Sequence, residues 1–203
     1  MIKIYGAPGS SAGRCYWTME EIGLLYERQP LDMSKKEHKS PEYLALNPNG
    51  KVPCLVDGDV TIWESMAIDT YLAEKYQPDL LGLTPEARGL VQQWSYWAIL
   101  EPQPALVSAL IQKVFVPEPK RDQKIIDDAL AKLPPMLEIA NKHLDQLEYF
   151  VGGSFSLADI HVATVMNINH MLGQSLSDFP HLMRWLDNVC GREAYQKVQA
   201  MGR

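Results

Sequence analysis

The stretch "LNPNGKVPCLVDGD", residues 46–59, decides how the chain is to be read. Residues 52–56 have the composition of a short buried strand and run into an Asp57-Gly58 turn. Yet Pro53 has no amide hydrogen to give to a ladder, and proline is normally kept out of strand interiors. Two readings satisfy the local chemistry. An edge strand tolerates an ordinary trans proline, and on these residues alone that is the simpler reading. A cis Val52–Pro53 bond, a minority form at about 5% of X–Pro bonds in folded proteins, would instead turn the chain at the strand's start. The amide and carbonyl of Val52 would then face outward, open to a peptide laid alongside as an added strand.

On the N-terminal side, "IKIYGAP" is a short strand closed by Pro8-Gly9. "SSAGRCYWTMEEIG" comes next as a helix with Ser10 or Ser11 as its N-cap and Gly23 as its stop. "YERQPLDM" is a second strand, and "SKKEHKSPEYLALNPNG" a polar segment with one short helical turn. Beyond the proline, "VPCLVDG" and "VTIWES" form a hairpin, and "SMAIDTYLAEKY" is a helix with one buried face. The order β-α-β-α-β-β-α predicts helices against a four-stranded mixed sheet over residues 1–77. A proline- and glycine-bearing linker is expected at 78–85, and an all-helical domain over 86–203. Pro102 and Pro104 should end or kink the first long helix there, and Pro134-Pro135 should mark a break or a new first turn.

Composition narrows the function. A chain of 203 residues with 46% apolar and 22% charged residues is ordinary for a soluble globular protein. A net charge of −6 argues against a nucleic-acid partner, though not against a small anion held by local amide dipoles. Cys15, Cys54 and Cys190 are far apart and form no Cys-x-x-Cys pair, which argues against a metal site and a dithiol redox motif. "MIKIYG" starts a strand at once, and no apolar run approaches membrane-spanning length, so the expected location is the cytoplasm, without a membrane partner.

Three further features carry chemistry. Glu64-Ser65 precedes a helix, where free amides attract a carboxylate and Glu64 could hold an ammonium; a plain Ser65 cap is the simpler role. In "APGSSAGR" a serine at a strand-to-helix turn can donate to an anionic sulfur at a helix N-terminus. In "FSLADI", Ser156 and Asp159 have capping-box spacing, a structural role.

In their order and spacing, "NPNGKVP", "IWES", "FSLADI" and "FPHLMRWLDNV" resemble the soluble glutathione transferases along the whole chain. The opening and "KEHKSPEYLALNP" look most similar to the bacterial and insect serine-type (theta-, delta- or nu-like) branches. The resemblance implies a thioredoxin-like N-terminal domain with a cis-proline at Pro53, a helical C-terminal domain, and glutathione as co-substrate with no metal. It implies that glutathione pairs with Val52, that Glu64 and Ser65 take its γ-glutamyl head, and that His38 and Lys51 lie toward its glycine carboxylate. Ser10 or Ser11 would activate the thiol for attack on a mostly apolar electrophile, a detoxifying conjugation. Trp94 and Trp97 would line the electrophile site, though core or dimer packing is the simpler role for either. A homodimer is implied, built from the helices after Ser65 and around Trp94. Tyr5, Cys15 and Cys54 read as packed residues. Rival activities on the same scaffold are a glutathione-dependent disulfide reductase or peroxidase and a maleylacetoacetate-type isomerase. Glu64 stands where the isomerases usually carry glutamine, which lowers that reading. A non-catalytic interaction module is the remaining alternative. Two departures, Met66 and Glu193, leave the inferred chemistry untouched.

Overall fold

Alternation of buried Ile2 and Ile4 with half-buried Lys3 and Tyr5 makes residues Ile2–Tyr5 the central strand, β1. In the computed structural model, which describes residues 1–202, β1 pairs in parallel with β2 (Tyr26–Gln29) and antiparallel with β3 (Cys54–Asp57). Strand β4 (Val60–Trp63) closes the hairpin on β3, giving a mixed sheet of order β2-β1-β3-β4. The second strand is shorter than "YERQPLDM", because Pro30 cannot continue the donor pattern.

Helix α1 (Ala12–Ile22) packs against α3 (Ser65–Tyr76). It stops at Gly23, whose φ of 76° lets its own amide reach the Glu20 carbonyl and the Leu24 amide reach that of Met19. The short α2 (Pro41–Leu46) is capped by Ser40, whose Oγ accepts from the Tyr43 amide at 3.2 Å.

The helical part comprises α4 (Pro85–Leu100), α5 (Pro102–Leu110), α6 (Gln123–Leu130), α7 (Leu133–His143), α8 (Leu157–Met171) and α9 (Pro180–Cys190). Prolines fall in first turns at Pro85, Pro102 and Pro134, where a missing amide hydrogen costs nothing. Helix α8 opens with a reciprocal box: Asp159 Oδ2 accepts from the Ser156 amide and hydroxyl, both at 3.0 Å. Its other oxygen accepts from the Phe150 amide at 3.0 Å and Trp185 Nε1 at 2.9 Å. Burial raises the Asp159 pKa, and these four bonds to the carboxylate oppose the shift.

The chain divides into two units with a break between Leu81 and Gly82, inside the 78–85 segment, but its C-terminal segment does not stay with the helical unit. Gly82–Cys190 forms one, and Met1–Leu81 forms the other together with the segment from Gly191 onward. A helix α10 (Glu193–Met201) therefore belongs with the sheet and not with the helical domain expected to run unbroken over 86–203. It buries Ala194 and Val198, sets Tyr195 against Trp17 at 4.6 Å between ring centroids, and comes directly after an Arg192–Glu21 ion pair at 2.7 and 2.8 Å. Helical periodicity places α10 as a helix but is silent on which unit its apolar face covers, and here the partners are Trp17 and Glu21 of α1.

Asp159→Ala orphans the Phe150 amide and the Trp185 indole as well as the α8 cap. We expect it to lower the unfolding free energy by about 3 kcal/mol, read from urea denaturation.

Candidate functional site

One buried amide shapes the loop that leads into Pro53. Asn47, 2% exposed, accepts the Asn49 amide on Oδ1 at 3.0 Å and donates from Nδ2 to the Lys51 carbonyl at 2.7 Å. The Tyr43 hydroxyl donates to that same carbonyl at 2.6 Å. Gly50 returns its amide to the Asn47 carbonyl at 2.9 Å with φ of +55°, and a Cβ there would lie 2.8 Å from the His38 carbonyl oxygen. Only glycine meets both conditions.

The next peptide, Val52–Pro53, is cis. Both strand registers stop at Cys54, opposite Tyr5 on one side and Trp63 on the other, so Val52 stands outside the ladder. Gly6, at φ +118°, passes beside it: a Cβ at Gly6 would be 3.0 Å from Val52 Cβ and 3.2 Å from Ala12 Cβ. The end of β1, Val52 and the start of α1 thus meet at one place.

At that start the two serines differ. Ser10 Oγ donates to the Ala7 carbonyl at 2.7 Å and accepts from the Ala12 amide at 3.2 Å, so its proton is committed to the turn. Ser11 immediately precedes α1 with helical φ/ψ of −58°, −14°; its side chain is exposed and makes no capping bond. The first turn of α3 lies alongside, with Cys15 Sγ donating to the Ser65 carbonyl at 3.5 Å. Ser65 is buried as the first residue of α3. Glu64 is exposed in a conformation (φ 74°, ψ 113°) that residues other than glycine rarely adopt, while its carbonyl accepts the Ile68 amide at 2.9 Å.

His38 is half-buried with Nδ1 lacking a hydrogen-bond partner, and Lys51 is exposed. Lys39, not singled out from the sequence, donates to the Asn49 carbonyl at 3.1 Å and ties their segment to the loop. Asn47, Tyr43 and Gly6 were also missed; the clue for Asn47 was its place before Pro48 in a turn-rich run. Burial pushes the Cys15 thiol well above its usual range and that of Cys54 up to about 11, so neither is a ready thiolate at neutral pH.

The two tryptophans expected at the electrophile site differ in exposure. Trp94 is 5% exposed and packs on Trp97, His143 and Phe150 at centroid distances of 5.2, 4.4 and 4.7 Å, so it is a core residue of the helical unit. Trp97 is half-buried beside it. Among the described residues no group of three or more His, Cys, Asp or Glu side chains could hold a metal, and no helix is long and apolar enough to cross a membrane.

The four-stranded mixed sheet, with Val52 outside its ladders, and the helical second unit define the class. Residues 1–74 match the glutathione S-transferase N-terminal domain and residues 104–193 the C-terminal domain, and the chain belongs to that family. It is 36% identical to glutathione S-transferase F9 of Arabidopsis thaliana over 98% of this chain and 97% of that one. Glutathione transferase F7 of Populus trichocarpa superposes at a TM-score of 0.92, with 31% identity and full coverage of both chains. The theta class enzyme of Xanthomonas axonopodis pv. citri, solved with glutathione bound, is 34% identical over 97% of this chain and 95% of that one, at a TM-score of 0.90. The bacterial serine-type branch expected from the opening residues is corrected by these relatives, since the curated matches include the plant F-series (phi-class) enzymes. A motif as short as Ser-x-x-x-Arg specifies a helix start and does not resolve a branch.

Asn47→Ala leaves the Lys51 carbonyl with Tyr43 alone and the Asn49 amide without an acceptor. The expected loss is about 2 kcal/mol of stability, with amide exchange at residues 49–52 accelerated more than in β1.

Proposed function

We propose that the chain is a glutathione transferase that activates the glutathione thiol for attack on a mostly apolar electrophile. The observation that carries this reading is Val52, outside both ladders and beside Gly6 and the start of α1, whose Cys15 in turn reaches the first residue of α3. A tripeptide strand pairs with the Val52 backbone as a fifth strand would. Its γ-glutamyl head is a zwitterion: the carboxylate suits the free amides at Ser65, and the ammonium suits the exposed Glu64 carboxylate. His38 and Lys51 serve the glycine carboxylate. The bound glutathione of the Xanthomonas structure supports this choice of ligand.

Free hydroxyl geometry favours Ser11 over Ser10 as the thiol's donor, because the Ser10 proton already serves Ala7. Lowering a thiol pKa by about two units needs about 2.7 kcal/mol of preference for the thiolate. A charge-assisted bond supplies about 1.5–3 kcal/mol, and a helix N-terminus about 0.3–1 kcal/mol more. The two together suffice. The buried, high-pKa thiols of Cys15 and Cys54 weigh against a reductase that works through a protein cysteine. We place the enzyme in the cytoplasm as a homodimer, for which exposed Tyr96 and Leu100, four residues apart on α4, offer apolar surface.

Ser11→Ala should reduce kcat/KM with chlorodinitrobenzene about 100-fold. Ser10→Ala should cost about 1 kcal/mol of stability through the cap and little activity. The reverse pattern would assign Ser10, and native rates in both variants would remove the serine mechanism. Glu64→Ala should weaken glutathione binding about 10-fold or more, read by calorimetry.

A further inference from the structure

The backbone at Glu64 is held at φ 74°, ψ 113°, and such a conformation persists only where its surroundings enforce it. Beneath it the packing is charged. Arg14, in the first turn of α1, is 3% exposed, and Asp69, in the second turn of α3, is 0% exposed. Arg14 Nη1 reaches Met66 Sδ at 3.4 Å, and Cys15, its neighbour, donates to the Ser65 carbonyl at 3.5 Å. The two residues after Glu64 are thus gripped from the same turn of α1.

Building on the glutathione reading above, we propose that Arg14 and Asp69 are positioning residues, a buried charge pair that fixes the start of α3 against α1. The brace thereby holds Glu64 and the Ser65 amide in register for the γ-glutamyl group. A helix pair packed only by apolar side chains can slide by fractions of an ångström, whereas a guanidinium and a carboxylate enforce direction and distance. Burial lowers the Arg14 pKa and the attraction of Asp69 opposes that shift, so Asp69 helps keep the buried guanidinium charged. Removing one alone would strand the other in the interior and endanger the fold. Removing both avoids this, which makes the paired substitution informative.

The test compares two ligands with blocked sulfur, so that thiol activation plays no part: S-methylglutathione and S-methylcysteinylglycine, which lacks the γ-glutamyl group. In R14M/D69M, checked for native circular dichroism, the dissociation constant for S-methylglutathione should rise about 10-fold or more, while that for the dipeptide should change less than about twofold. R14K, which keeps the charge but loses the planar guanidinium, should weaken S-methylglutathione less than R14M/D69M does and leave the dipeptide within about twofold. A general structural defect would weaken both ligands alike, and equal losses therefore overturn the proposal. So does native S-methylglutathione affinity in folded R14M/D69M. If the paired variant does not fold, D69N carries the same comparison under the same outcomes. A native protein that binds neither ligand overturns the glutathione reading itself, and the brace with it.

Discussion

The side-chain amide of Asn47 is the constraint on which the first unit turns. By donating to the Lys51 carbonyl from inside the loop it uses up the acceptor that would otherwise look for a strand partner. Tyr43 reinforces it from α2, so the two elements before β3 agree on where Lys51 must sit. Once that carbonyl is fixed, the next residue cannot extend the ladder, and β3 starts at Cys54. A buried donor thus satisfies one backbone group inside the loop, while the neighbouring Val52 stays outside both ladders. Strand start and loop shape go with one hydrogen-bond assignment.

Gly6 is the other half of that arrangement. The turn from β1 into α1 passes under Val52 closely enough to exclude a side chain, and this proximity puts a helix N-terminus next to the open edge. The same economy recurs in the helical unit. Asp159 starts α8 while holding Trp185 of α9 and the Phe150 amide, and buried Asn141 accepts the His181 and Leu182 amides, at 2.9 and 3.2 Å, at the start of α9. Each of these helix starts is fixed by one buried acceptor within its unit. Orphan amides and buried polar groups answer each other there at little net cost.

Periodicity and punctuation make much of this legible in the sequence. Alternation in "IKIY", the Asp57-Gly58 turn and the helical spacing after Ser65 give the sheet and its hairpin, because those signals are local. The proline marks the unusual peptide, and family resemblance supplies the cis form that the residues alone do not favour. The rest depends on contacts between distant residues. Asn47 looks like any turn asparagine until the Lys51 carbonyl is placed against it. Trp94 and Trp97 lie three residues apart, and only packing shows that the first is enclosed by His143 and Phe150. Ser10 and Ser11 are chemically identical and are separated only by which hydroxyl already has an acceptor. The affiliation of α10 is set by Trp17 and Glu21, far back in the chain, with Glu21 and its partner Arg192 171 positions apart.

A net charge of −6 is no obstacle to the anionic ligand proposed. Screening confines a surface charge to about 8 Å at physiological ionic strength, so distant carboxylates contribute little at the site. The forces that act there are local, above all the two helix N-termini, each equivalent to about half a positive charge. Glu64 is the exception, a carboxylate placed at the start of a helix. Its strained backbone marks it as held there against the conformational preference of its own residue type. A zwitterionic head group explains that combination better than a simple anion. On the proposed reading the amides and the carboxylate would meet the two charged groups of one head, so the negative charge that repels a simple anion would favour an α-amino acid.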